Sequence, residues 1–236
     1  MTWYNPFSLT LALVGAATLN SGSLPQPVAA QTPEALAPEF ASVWDFFRRE
    51  ADDRRAGRDG SPRGPLCSIT PGEETVWNRT PLFVWQGASS IGLRQPHQDI
   101  LWQETATTVV LKEDERELYQ SYRPTEALEP GRYEWLFFIV PSQHAAWNSF
   151  EVMDDDTYKQ IAAELETLEA SLAAENADAE TIALARMSFF AERNLASDAL
   201  QELFAVADPS PAIQQRQAEV VERFCSEESK ESDQAE

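Results

Sequence analysis

Histidine and cysteine are scarce in this chain, with two of each among 236 residues. Most metal centres and imidazole-dependent active sites need more. Zinc sites draw clustered Cys and His ligands. Neither His97 nor His144 stands in a His-Glu-x-x-His arrangement, and neither Cys67 nor Cys225 has a second Cys or His nearby. Glycine is also sparse, at nine residues, and no Gly-rich phosphate loop occurs. "GASSIG" (87–92) lacks the Gly-x-Ser-x-Gly spacing of a serine-nucleophile turn. "MDDDTYK" (153–159) lacks the glycine and closing glutamate of an EF-hand loop, and helix capping explains it better. These absences leave no cofactor, no metal and no catalytic residue to expect from a motif. A dispersed Ser-His-Asp set using His97 or His144 as general base remains the enzymatic alternative, because triads assemble in space.

Long apolar runs are equally rare. "FSLTLALVGAATL" (7–19) is one, of signal-peptide length and too short to span a bilayer. Val28 and Ala30 occupy the small-residue positions of a cleavage site before Gln31. The opening "MTWYN" carries no Lys or Arg, so the terminal amine is the only cation there. Residues 1–30 read as an export signal, which makes an extracytoplasmic protein without membrane insertion after cleavage the expectation. Cations are few as well: 18 Lys and Arg against 39 Asp and Glu give a net charge of −21. From Glu151 onward, 21 acids face 6 bases, which is −15 of the total. Such a surface repels polyanions and excludes nucleic acid as a partner.

In an exported chain the two cysteines permit a single intramolecular disulfide, Cys67–Cys225; two separate thiols are the alternative. Residues 31–65 comprise an amphipathic helix at 38–54, carrying Phe40, Val43, Trp44 and Phe47, and a basic linker. That linker, "RRAGRDGSPRGP" (54–65), holds four arginines. It reads as a solvated loop, with a grip on the acidic C-terminal half as the alternative.

Residues 66–153 change period. "LCSIT", "PLFVWQG", "SIGLR", "ILWQE", "ATTVVLK", "ELYQSY", "RYEWLFFIV" and "SFEVM" are short β-branched and aromatic runs separated by turn residues. They predict an antiparallel β-sandwich. In 132–140, Tyr133, Trp135, Phe137 and Ile139 share one face and Leu136, Phe138 and Val140 the other. The second face therefore needs a cover, for which helix 38–54 and the C-terminal helices are the candidates. From 154 to 225 the period turns helical. Four helices are predicted, the first led by Tyr158, Ile161, Leu165, Leu168 and Leu172, the others at about 178–193, 196–207 and 211–224. The acidic tail 226–236 reads as disordered.

"PLFVWQG", "ILWQE" and "LEPGRYEWLFF" together resemble the immunoglobulin-like modules of exported cyanobacterial proteins of unknown function. The Leu-x-Pro-Gly…Tyr element is also similar to the turn before the tyrosine-bearing strand of fibronectin type III domains. In that pattern the tyrosine sits one residue further on, so Tyr133 is not carried over as the corner residue. "MSFFAERNLASDALQELFAVADPSP" (187–211) resembles one tetratricopeptide-type hairpin through Phe190, Ala199, Leu203 and Pro211. The fold these readings imply is α+β: an antiparallel immunoglobulin-like β-sandwich followed by an all-helical C-terminal part of about four helices.

Aromatic residues are what the chain has in surplus. Of seven tryptophans, Trp85, Trp102 and Trp135 fall at sheet positions and suit a core. Trp77 and Trp147 adjoin polar turns, where each either meets a sugar or peptide or packs on the helical part. With Arg94 and His97 of the "RQPHQ" loop, they are the candidate binding residues. The function this supports is non-enzymatic binding or scaffolding of a protein or glycan of the cell envelope. A hydrolase of envelope polymers and a peptide-binding helical repeat, with its groove between 178–193 and 196–207, are the alternatives.

Overall fold

The computed structural model describes residues 41–56, 66–105, 107–110, 117–141 and 143–225. The signal at 1–30, most of the basic linker and the tail at 226–236 lie outside the described residues. The chain enters through helix α1 (Ala41–Ala56) and continues into nine strands. These are β1 (Cys67–Thr70), β2 (Thr75–Val76), β3 (Phe83–Gln86), β4 (Ser90–Arg94), β5 (Ile100–Thr105), β6 (Thr107–Val110), β7 (Glu117–Tyr122), β8 (Gly131–Val140) and β9 (Gln143–Val152). Four helices follow: α2 (Asp155–Ala174), α3 (Ala179–Ala191), α4 (Ala196–Phe204) and α5 (Pro211–Cys225).

The strands form a four-stranded sheet, β1-β3-β7-β6, and a five-stranded sheet, β2-β9-β8-β4-β5. Alternation along β3 shows how they stack. Phe83 and Trp85 turn into a core shared with Ile91, Leu93, Tyr133, Trp135, Phe137 and Phe150 of the five-stranded sheet. Val84 turns the opposite way, into a core with Cys67, Ile69, Tyr119, Phe47, Phe190, Leu200 and Ile213. All three β3 side chains are fully buried. The molecule is thus three layers deep: helices, four-stranded sheet, five-stranded sheet.

Two expectations are corrected here. The antiparallel immunoglobulin-like sandwich followed by an all-helical part does not hold. The five-stranded sheet is mixed, because β2 runs parallel to β9, with Glu151 N–H donating to the Glu74 carbonyl and Met153 N–H to that of Val76. Nor do the helices form a part of their own. The N-terminal α1 packs with α3 and α5, and all share one core with the four-stranded sheet. The second correction concerns the cover on strand 132–140. The helices roof the four-stranded sheet, and no β8 residue belongs to their core.

Local chemistry sets the element ends. Asp154 caps α2, accepting from the N–H groups of Asp156 and Thr157, and Asp178 caps α3 through Thr181 N–H. Asn176 and Asn194, with φ of 55° and 57°, close the turns after α2 and α3. Tyr133 hydroxyl donates to the Glu129 carbonyl at 3.0 Å across the Pro130–Gly131 turn.

Cys67 at the start of β1 and Cys225 at the end of α5 are joined, 158 residues apart. The bridge ties the last helix to the sheet it roofs. Arg54 reinforces the same layer. It donates to Glu50, to the Ile69 carbonyl and to Glu74, and lies over the Phe224 ring. Position 72 must be glycine for this contact, since a Cβ there would overlap the guanidinium. Replacing both cysteines by serine is expected to cost about 3–5 kcal/mol by chain-entropy reasoning. Urea unfolding of the double variant measures it, and an unchanged midpoint would remove the bridge from the stability account.

Candidate functional site

The outer face of the five-stranded sheet is built by register. Directly opposed residues in an antiparallel pair point to the same side, so three rows cross β4, β8 and β9. Arg94, Glu134 and Ser149 form the first; Gly92, Leu136 and Trp147 the second; Ser90, Phe138 and His144 the third. The first row is polar, and Arg94 Nε donates to Glu134 Oε2 at 2.7 Å. The second and third are largely apolar. Phe138 leans over Gly92, where an added Cβ would stand 3.1 Å from its ring. The His144 ring meets Phe138 edge-on at 6.2 Å.

Leu136 and Phe138 are buried yet belong to neither core. Trp147 beside them is 50% exposed. At the sheet margin, β5 pairs with β4, and its other edge carries no strand among the described residues. Ile100 and Leu101 on this edge strand are 43% and 57% exposed, and Ile139 and Val140 at the end of β8 are 53% and 50% exposed. All of the large exposed hydrophobics among the described residues therefore lie on β5, β8 and β9.

The structure separates the four candidate residues of the sequence. Trp147 and Arg94 share the outer face of the five-stranded sheet. His97 follows Arg94 in the β4–β5 turn, exposed and with φ of 63°, where Gln98 N–H donates to the Gln95 carbonyl. Trp77 lies elsewhere. Its ring stacks on Tyr158 at 5.2 Å and tilts against Phe190, and its Nε1 donates to the Tyr158 carbonyl at 3.1 Å. It is a packing residue of the helical layer. Among the described residues, neither His97 nor His144 hydrogen-bonds to a Ser, Cys, Asp or Glu, and no group of three His, Cys, Asp or Glu could hold a metal ion. The groove required by a helical repeat is filled, because α4 is buried along almost its whole length.

Sequence reasoning missed a buried polar seam on α4. Ser197 Oγ accepts from Gly72 N–H at 2.8 Å and donates to Glu74. Asp198 accepts from the N–H groups of Trp77 and Asn78, both at 2.8 Å. Gln201 Oε1 accepts from Leu82 N–H at 2.8 Å and from Asn78 Nδ2. Burial pushes the Asp198 carboxyl up to about 7, although the two N–H donors favour the anion. Burial also raises Glu74, with Arg54 and Ser197 pulling it back. Asp198 is 1% exposed, sealed from any substrate, so its shift describes folding rather than catalysis.

The sign of that contribution is definite. A carboxyl raised in the folded state supports folding fully below its ordinary range and loses that support as pH rises through about 7. Asp154, lowered chiefly by its backbone bond from Thr157, and Asp155, lowered by its bond from Arg79, act oppositely and lose support as pH falls. Unfolding free energy is expected to decline from about pH 4 to about pH 7, by at most about 1.4 kcal/mol per pH unit for this one group. Asp198→Asn is expected to flatten the decline while lowering stability by about 1–3 kcal/mol through one broken bond. Urea titrations across pH test both, and an unchanged slope in the variant would contradict them. No protein-family model, no curated protein and no solved structure matches this chain.

Proposed function

We propose that this protein is an extracytoplasmic, non-enzymatic binding or scaffolding module, and that it engages a protein partner of the cell envelope through its five-stranded sheet. One observation carries the reading: the large exposed hydrophobics among the described residues all lie on the five-stranded sheet, and the outer edge of β5 carries no strand among those residues. An edge strand without Lys or Pro is a template for an added strand. Ile100 and Leu101 supply side-chain anchors on it, and Trp147 supplies a large surface of the kind that dominates binding hot spots.

The composition of these exposed residues favours protein over glycan. Four of the five are aliphatic and offer no ring to stack on a sugar; Trp147 alone does. The export signal read at 1–30 and the resemblance to exported proteins support the location. The hydrolase reading has no support in the geometry, since both imidazoles are exposed and neither hydrogen-bonds to an acid or a nucleophile among the described residues.

Capture of a partner from envelope extract tests the proposal. Trp147→Ala combined with Leu101→Lys is expected to weaken capture by about thirtyfold, the loss of one strong hot spot, with the circular dichroism spectrum unchanged. Capture that survives both substitutions would rule this face out. Loss with Trp147→Ala alone, reversed by soluble oligosaccharide, would assign the face to a glycan instead.

A further inference from the structure

A cavity of about 610 Å³ opens between β7, the α4–α5 connection and α5, on the helix side of the four-stranded sheet and remote from the face described above. That volume is in the range of small-ligand sites, roughly 300–1,000 Å³. Its floor is set by the period of β7. Val84 of β3 opposes Ser121 and faces the helices, so Tyr119, Ser121 and the following Arg123 line up toward the cavity at every second position. Leu118 and Phe204, both buried, form apolar wall. Tyr119 meets Phe204 edge-on at 4.9 Å.

The polar groups have unused capacity. Arg123 donates from Nη1 to the Thr80 carbonyl at 2.9 Å and forms no ion pair among the described residues. Arg186 nearby is already held by Glu169 and Glu202. The hydroxyls of Tyr119 and Ser121 make no hydrogen bond to another described residue. Desolvation lowers the Arg123 guanidinium, with Glu202 opposing the shift and Arg186 adding to it, while the side chain keeps an exposed surface. On the facing wall, the α4–α5 connection places Asp208, an exposed carboxylate with no ion pair among the described residues.

We propose that this cavity binds a short apolar peptide by its two free termini. Its carboxylate meets Arg123 and the Tyr119 and Ser121 hydroxyls, its amino group meets Asp208, and its side chains lie on Leu118 and Phe204. Charge complementarity selects this class. A simple anion would leave Asp208 facing it in a protein of net charge −21, and a simple cation would be repelled by Arg123, which has Glu202 only as a more distant counter-charge. A zwitterion satisfies both walls.

Titration calorimetry of the purified protein with the dipeptide Leu-Phe is the test. Saturable binding of one peptide per chain is expected, weakened at least about tenfold by N-acetylation or by C-terminal amidation. Arg123→Gln and Asp208→Asn, both at exposed positions, are each expected to weaken Leu-Phe by a similar factor. Asp208→Asn should leave the N-acetylated peptide unaffected. Ala207→Trp, on the exposed connection, should block the cavity, with circular dichroism confirming the fold of every variant. Absence of saturable binding by the unaltered protein would overturn the proposal. So would binding undiminished in Arg123→Gln, or equal affinity for free and N-acetylated peptide.

Discussion

Satisfaction of the buried N–H groups between Gly72 and Leu82 is the constraint on which the rest of this structure depends. That segment crosses from β1 through β2 to β3, at the junction of helices and sheets, with Gly72, Val76 and Leu82 buried and 77–80 partly so. An unpaired amide there would cost on the order of 1–3 kcal/mol. Ser197, Asp198 and Gln201 accept four such N–H groups from one short helix. The first two turns of α4 thus serve another segment, while its own N-cap, Leu195, has no capping side chain. Once α4 is fixed this way, α3 and α5 pack around it, α1 closes the layer through Arg54, and the disulfide ties α5 to β1.

The two cores divide the work. The core between the sheets is aromatic, with Phe83 and Trp135 at 5.1 Å and Trp135 and Phe137 at 4.4 Å. Each such pair adds about 0.5–1.5 kcal/mol beyond area burial. The core between helices and the four-stranded sheet is more aliphatic and is held at its edges by ion pairs such as Arg186 with Glu169 and Glu202. Asn148 on β9 bonds across to Ser68 on β1, linking the sheets. Because all five helices lie on one side, no helix among the described residues packs on the outer face of the five-stranded sheet. That asymmetry is the physical origin of the apolar face.

Much of the chain could be read before its structure. The eight apolar runs coincide with β1 and β3–β9, and the five predicted helices fall within a few residues of their observed ends. Three things were hidden. Thr75–Val76 is too short for alternation to register, and its parallel pairing depends on where β9 lies. The first half of β9, "QHAAWN", has a single large apolar residue; it is a strand because ten-residue β8 supplies the partner backbone. The acid of "LASDAL" reads from sequence as an ordinary helix-start residue, and only the packed loop at Trp77–Asn78 shows its use. For the site, Trp147 and Arg94 were legible as exposed or loop-side residues, but their sharing of one face depends on register. Trp77 adjoins a polar turn in sequence, yet Asp198 and Gln201 draw that turn into the helical layer.

Radical footprinting of the tryptophans, read by mass spectrometry, tests most directly whether the helices roof one sheet and leave the other bare. The account predicts fast oxidation of Trp147, slow oxidation of Trp77, and protection of Trp85 and Trp135, which are fully buried. Protection of Trp147 together with fast oxidation of Trp77 would contradict it.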